Sequence, residues 1–318
     1  MCEKEKYMVL YEKKYKRDFM TEKELLNSGE IFSFGDGLYS YSSKIEKLYH
    51  VFNSLFLRVL NNFKYEKRKY PVLLPLDTYQ KTNYLKTSPQ YAMFCSSIEQ
   101  KNLASVTIPK AIEKNDILSI CSQPNLALSP SACFHLYEEL KKKKLEENKI
   151  FSFNQRVFRE EGEENYSIYR LRDYAVREIV MIGDEEFVSN SREQLLREIL
   201  KLLDLLKLDY KIEIACDPFI IPEMNLYKKV QIANKVKYEV RISTSDSAEI
   251  ACASLNLHGN LFSKAFDFQV LDNKKTVSGC VGFGFERWII AFLLQYGLNE
   301  NEWPLIVKEM LKSDEMFI

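Results

Sequence analysis

The sequence predicts an α+β fold, an antiparallel sheet flanked by helices, and three observations predict it. Runs rich in aromatic and β-branched residues, many of them alternating, occupy 150–158, 167–182, 210–216, 236–242, 248–256, 264–271 and 276–282. Toward the C-terminal end these runs arrive largely without intervening helices, whereas a doubly wound parallel sheet needs a helical crossover between strands. Two stretches elsewhere carry the periodicity of helices that pack on such a sheet.

Taken in order, residues 1 to about 40 mix charge and aromatics without a clean period and read as an N-terminal extension to a domain over 41–318. From Ser42 to Phe63 the apolar positions Ile45, Leu48, Tyr49, Phe52, Leu55, Phe56 and Val59 recur at spacings of three and four, an amphipathic helix. Tyr70-Pro71-Val72-Leu73-Leu74-Pro75, apolar and bracketed by prolines, suits an edge strand or interface segment. Lys141 to Lys144, set between acidic pairs, read as a solvated helix face. A second helix is expected from about Asp184 to Lys207, with Leu195, Leu196, Ile199, Leu200, Leu202 and Leu203 as its buried stripe. A short helical insert is expected near 219–236.

Composition narrows the function. The 45 basic and 45 acidic residues cancel, which argues against coating nucleic acid through bulk charge while leaving room for a local basic patch. The longest strongly apolar stretch, Trp288 to Leu294, is far too short to span a bilayer, so no membrane is expected. Seven scattered cysteines without a C-x-x-C pair, and an N-terminus with charge but no apolar core, point to a cytoplasmic, reducing setting. A cysteine that matters there is a metal ligand or nucleophile sooner than half of a bridge.

Two segments could carry chemistry. Val157 to Tyr166 reads as a strand entering a polar loop, with a return strand from Tyr169 to Glu178. Side chains two apart on a strand share a face, so Arg170, Arg172, Tyr174, Val176 and Glu178 would line one side. Arginines for phosphate and a ring for base stacking make a plausible nucleotide site; a surface hairpin laced with ion pairs is the equal alternative. The second segment, Gly279 to Trp288, has glycines at 282 and 284 that allow close approach, with Arg287 on the first turn of a buried helix. It fits neither a P-loop nor a dinucleotide turn.

Together the two segments are specific. Phe158-Arg159-Glu160-Glu161 with Arg170-x-x-x-Tyr174 resembles motif 2 of the class II aminoacyl-tRNA synthetases. Gly282-Phe283-Gly284-Phe285-Glu286-Arg287 resembles their motif 3, and Tyr70 to Pro75 a degenerate motif 1. Further phrases, Ser131 to Tyr137, Arg170 to Val180, Cys216 to Phe219, Ser254 to His258 and Cys280 to Gly284, resemble the amino acid:[carrier protein] ligases. These are homologues of the atypical, zinc-dependent seryl-tRNA synthetase catalytic core. That family's fold is an antiparallel sheet flanked by helices, usually dimeric, in agreement with the strand reading.

The resemblance implies a zinc held by Cys133, Glu178 and Cys280, with a fourth position left open for the amino nitrogen of an amino acid. Each cysteine taken alone reads as readily as a small buried hydrophobe. His135 is a competing ligand, and His50 and His258 read as packed or exposed. By position, Arg159 would bind the α-phosphate and the substrate carboxylate, and Glu161 the adenine amino group. Tyr174 would stack on one face of the adenine and Arg287 cover the other, with Arg170 on the terminal phosphates. Glu249 would hold magnesium, and Asp217 and Asn256 would line the amino-acid pocket. The implied activity is ATP-dependent formation of an aminoacyl-adenylate from a small amino acid. Transfer would follow to the phosphopantetheine thiol of a small acidic carrier protein, which the lysines of Leu226 to Lys235 could meet. With little room for an RNA-binding module, no tRNA is expected. Two alternatives stay open: the same adenylation with transfer to tRNA or a small molecule, and a non-catalytic paralogue that senses amino acid or nucleotide.

Overall fold

The computed structural model describes residues 7–102, 117–162, 165–217, 225–271 and 275–314. Its main sheet has eight strands: β1 (Val9–Lys13), β2 (Glu66–Lys67), β3 (Lys149–Phe158), β4 (Asp173–Gly183), β5 (Tyr210–Ile214), β6 (Lys237–Ser243), β7 (Glu249–Gly259) and β8 (Val277–Gly284). In space they run β1-β5-β6-β7-β8-β4-β3-β2, antiparallel throughout except where β2 meets β3. The α+β class read from the sequence is what the chain adopts.

The central strand β4 explains the layering. From Tyr174 to Gly183 it is buried on both faces, so its residues serve two cores in alternation. Ala175, Ile179 and Met181 join the larger core under the helices, and Tyr174, Val176, Val180 and Ile182 join a smaller aromatic core with Phe153, Tyr137 and Phe262. Three helices cover the larger core: α1 (Ser43–Arg58), α2 (Glu185–Leu206) and α3 (Phe285–Tyr296).

Local chemistry sets the helix ends. The Ser42 hydroxyl accepts the Ile45 N–H at the start of α1, and the Asp184 carboxylate accepts the Phe187 N–H at 2.7 Å at the start of α2. Glu185 and Glu186 in the first turn of α2 complement its dipole, and Lys207 closes it with a left-handed φ of 48°. Helix α3 is apolar nearly all round because it is buried: Phe52 and Phe56 of α1 pack on its Trp288, and Phe52 also packs on Phe292.

Several expectations change. The first forty residues supply a strand, since β1 pairs along the edge of β5. Helix α1 stops at Arg58 and the chain turns through Asn61 and Asn62, poor helix formers. The segment 264–271 is not one strand. Phe262 and Phe266, four apart, bury one side of a short helix Leu261–Phe266, and only Gln269–Val270 pairs with Lys144–Leu145. The four lysines follow a helix that ends at Glu139 rather than forming its face. Residues 218–224, the start of the expected insert, lie outside the described residues; Asn225–Ala233 is helical. Among the described residues no helix is long and apolar enough to cross a membrane.

One buried acid ties α3 to β4. Both Glu286 oxygens accept the Ala175 N–H at 3.0 Å, and burial pushes the Glu286 carboxyl up to about 7. The folded chain therefore holds a proton that the unfolded chain loses above the ordinary carboxyl range. Stability from this group is full below about pH 4.5 and falls by on the order of 3 kcal/mol as pH rises to about 7. Glu286→Gln should remove that slope: thermal denaturation from pH 5 to 7 should show the variant gaining on the parent. Parallel curves would contradict the assignment.

Candidate active site

The site is built on the face of the sheet opposite the three helices. Strand β3 delivers Arg159 one residue past its end, and a loop returns the chain to Tyr174 on β4. Arg159 Nε donates to the Pro130 carbonyl at 3.0 Å, and its guanidinium lies 5.8 Å from the Tyr174 ring centre and 5.9 Å from that of Tyr91. Arg287, from the first turn of α3, reaches the same ring at 5.9 Å. Arg287 is held by two carbonyls, Tyr169 at 2.8 Å to Nε and Ala251 at 3.0 Å to Nη1. A cation in the first turn of a helix stands against the dipole, whose N-terminal end favours anions, so this corner is made attractive to negative charge twice over.

The return segment departs from the expected strand. Ser167 Oγ accepts the N–H groups of Tyr169 and Arg170, a tight turn, and β4 begins only at Asp173. Arg170 and Arg172 therefore do not share a strand face with Tyr174. Arg170 is exposed, 3.9 Å from the half-buried Glu161, while Arg172 pairs with Glu160 at 3.1 Å.

Farther along the face, residues distant in the chain come together. Glu178 on β4, Cys280 on β8 and Cys133 ahead of a short helix meet in the smaller core. The Cys280 thiol is pushed far up by its hydrogen bond with Cys133, by burial and by Glu178, and burial pushes Glu178 up to about 7. A Cβ at Gly282 would fall 2.9 Å from Glu178 Oε2, so glycine there leaves room for the carboxyl. Among the described residues no three His, Cys, Asp or Glu side chains stand as an arrangement that would hold a metal ion. The donors themselves suit zinc: two sulfurs and a carboxyl, all buried, with Cys280 hydrogen-bonded to both Cys133 and Glu178.

Asn256 Nδ2 lies 3.5 Å from Cys280 Sγ and 3.1 Å from Ser254 Oγ, beside that cluster. Asp217 is tied to Lys237 at 2.8 Å and to Gln231 at 2.8 Å. Glu249 lies two residues before Ala251 but is shared between Lys211 and Arg241, the latter at 3.6 Å. A carboxylate already paired with two cations is a poor fit for magnesium. His135 bonds the Leu73 carbonyl at 2.9 Å, apart from the thiols.

Sequence reasoning missed two residues, Lys237 and Tyr91, and took a third, His258, only as packed or exposed. His258 stands 3.5 Å from Cys280 Sγ through Nε2 and bonds Ser278 and Tyr137 at 3.2 Å through Nδ1; burial pushes it down to about 4, so it is neutral. Its place two residues after Asn256 on one strand was the available signal. Lys237, opposite Asn256 in the register, and Tyr91, whose carbonyl accepts the Glu160 N–H at 3.3 Å, carried none.

No family model matches the chain. Among curated proteins it is similar to the type-2 serine–tRNA ligase of Methanococcus aeolicus, 26% identical over 312 residues, 93% of this chain and 60% of that protein. Among solved structures it resembles M. kandleri seryl-tRNA synthetase in complex with A. aeolicus tRNASec, with a TM-score of 0.84 at 22% identity, covering 96% of this chain and 63% of that one. Seryl-tRNA synthetase from Pyrococcus horikoshii complexed with ATP gives 0.67 at 13%, covering 94% and 64%. The chain has the fold of the class II aminoacyl-tRNA synthetase catalytic core. It spans about 60% of the length of the first of these relatives. Two expectations are overturned here: the relatives are serine–tRNA ligases, against a carrier-protein acceptor, and a solved neighbour is bound to a tRNA, against the exclusion of tRNA.

The Asp217–Lys237 pair yields a test of the site's electrostatics. Burial alone would raise the Asp217 carboxyl; Lys237 and Gln231 outweigh it and hold it down at about 2. In Lys237→Met the Asp217 titration followed by carboxyl NMR should move above the ordinary aspartate range. A midpoint still near 2 would contradict the pairing.

Proposed function

We propose that this chain activates serine with ATP and passes the seryl group to the 3′ end of a tRNA. The observation that carries the reading is the Tyr174 ring approached by two guanidiniums, in a chain whose curated relatives are serine–tRNA ligases. An oxygen of the serine carboxylate attacks the α-phosphorus of ATP in line, the bond to the bridging oxygen breaks, and pyrophosphate leaves with the electron pair. A tRNA hydroxyl then attacks the acyl carbon and AMP departs. No protein nucleophile takes part. Catalysis is positioning and charge neutralisation, with Arg159 at the α-phosphate and carboxylate and Arg287 over the base and near the γ-phosphate. Tyr174 supports one face of the adenine and Glu161 accepts from its amino group. Arg170, exposed at the loop, meets the terminal phosphates.

A base stacked between Tyr174 and Arg287 needs about 7 Å, twice a contact distance of roughly 3.5 Å. The 5.9 Å gap must therefore widen by about 1 Å on binding. Magnesium arrives with the triphosphate, and no step is assigned to a magnesium on Glu249. Cys133, Glu178 and Cys280 would hold zinc, which supplies a Lewis acid for the serine amino group. Asn256 and Asp217 flank that pocket.

Serine-dependent pyrophosphate exchange, run against the other amino acids and followed by charging of tRNA, tests the function. Exchange stimulated by serine with transfer to tRNA is expected; exchange driven by another amino acid, or none, would contradict it. In Cys133→Ala bound zinc, measured by metal analysis, should fall from about one per chain to near zero while the fold is retained. An unchanged zinc content would remove Cys133 from the site.

A further inference from the structure

The hairpin Ile31–Gly35/Leu38–Tyr41 stands apart from the main sheet, and its tip reaches the loop between β3 and β4. Asp36 and Gly37 have left-handed φ values of 49° and 72°, which aim both carbonyls at one arginine. The Gly37 carbonyl accepts the Arg172 N–H at 3.1 Å, and the Asp36 carbonyl accepts Arg172 Nε at 3.3 Å. Gly37 also lies flat against Tyr166: a Cβ there would fall 2.4 Å from the ring carbon Cδ1 and 3.0 Å from the Arg172 nitrogen.

From this tip the contacts lead inward. Arg172 lies over the Tyr166 ring at 4.9 Å and pairs with Glu160 at 3.1 Å. The Tyr166 hydroxyl donates to Glu160 and accepts the Glu161 N–H at 3.2 Å, and the Arg172 carbonyl accepts the Arg159 N–H at 2.9 Å. Both residues assigned to the nucleotide at the head of the loop, Arg159 and Glu161, are thus tied by their backbone to groups that the hairpin tip clamps. A second strut runs parallel. The Tyr169 hydroxyl donates to Glu22, on the helix Glu22–Asn27 that precedes the hairpin, and the Tyr169 carbonyl is the one that holds Arg287.

We infer that the hairpin tip holds the nucleotide-binding loop in its gripping conformation, with Gly37 as a positioning residue that acts on ATP through Tyr166 and Arg172. The inference rests on the adenylation reading above. The N-terminal segment then acts on the nucleotide through the loop it braces.

Gly35 provides the control. It lies on the same hairpin with a φ of 89°, yet nothing stands within 4 Å of where its Cβ would go. Alanine at either position carries the same kind of backbone strain, and only Gly37→Ala pushes on the loop. In the full chain, Gly37→Ala should raise KM for ATP in pyrophosphate exchange by about tenfold or more, and KM for serine by less, since Arg159 also meets the serine carboxylate. Gly35→Ala should stay near the parent. Tyr166→Phe, which removes the hydroxyl without strain, should shift KM for ATP in the same direction by a few-fold. Equal effects of the two glycine substitutions, or a loss confined to kcat, would overturn the inference.

Backbone hydrogen exchange tests the clamp without turnover. Amides of 159–162 and 165–172 should exchange about tenfold faster in Gly37→Ala than in Gly35→Ala. Equal rates overturn the inference, whereas a faster loop in a parent that supports no pyrophosphate exchange keeps the clamp and sinks the function.

Discussion

Burial of the central strand β4 on both faces is the constraint on which the rest depends. A strand offers its side chains to two sides in strict alternation, so a slip of one residue would exchange the helix-facing core for the site. Ala175, Ile179 and Met181 fix the register against the helices, and Tyr174 and Glu178 are thereby aimed the other way. Glu286 strengthens the same register by accepting the Ala175 N–H, which also fixes where α3 begins and so where Arg287 stands. One strand places the stacking ring, the buried carboxyl and, through its neighbour, the second guanidinium.

Electrostatics divides the site face into two zones. Near Tyr174 cations predominate, with Arg159 and Arg287 approaching one ring and carboxylates kept to the loop. Near Glu178 acids predominate, and even against the Arg159 charge the carboxyl is displaced toward protonation, as is the Cys280 thiol. Groups of this kind are costly to bury together unless something positive joins them. On the proposed reading the first zone takes the triphosphate and the second the zinc. On β5, β6 and β7 the ladder of Lys211, Glu213, Arg241 and Glu249 is internally paired, which withdraws Glu249 from independent metal binding.

Much of the fold was legible because β-branched and aromatic runs mark strands and because Ser42 and Asp184 announce helices. What escaped did so for local or long-range reasons. The turn at Ser167 depends on a hydroxyl taking two backbone donors, so 167–172 read as strand and Arg170 and Arg172 were aligned with Tyr174 when they are not. Val9 finds its partner at Glu213, some two hundred residues away, which no window of periodicity can see. Phe262 and Phe266 signal a helical turn, but Phe266, Phe268 and Val270 signal a strand, and the second pattern hid the first. Within the site, Cys133, Glu178 and Cys280 could be joined only through the family resemblance, since spacing alone gives three unrelated positions. The same resemblance misled on the acceptor, because the phrases shared with the carrier-protein ligases lie in the adenylating core and say nothing of what receives the acyl group.

On the proposed reading the Tyr174 ring and the two arginines form the seat of the adenine and its phosphates. A crystal structure of the full chain with a non-hydrolysable seryl-adenylate analogue measures this most directly. The adenine is expected between Tyr174 and Arg287, with the sulfamoyl group that replaces the α-phosphate at Arg159. An analogue seated elsewhere on the sheet, with that ring and those guanidiniums still in mutual contact, would contradict it.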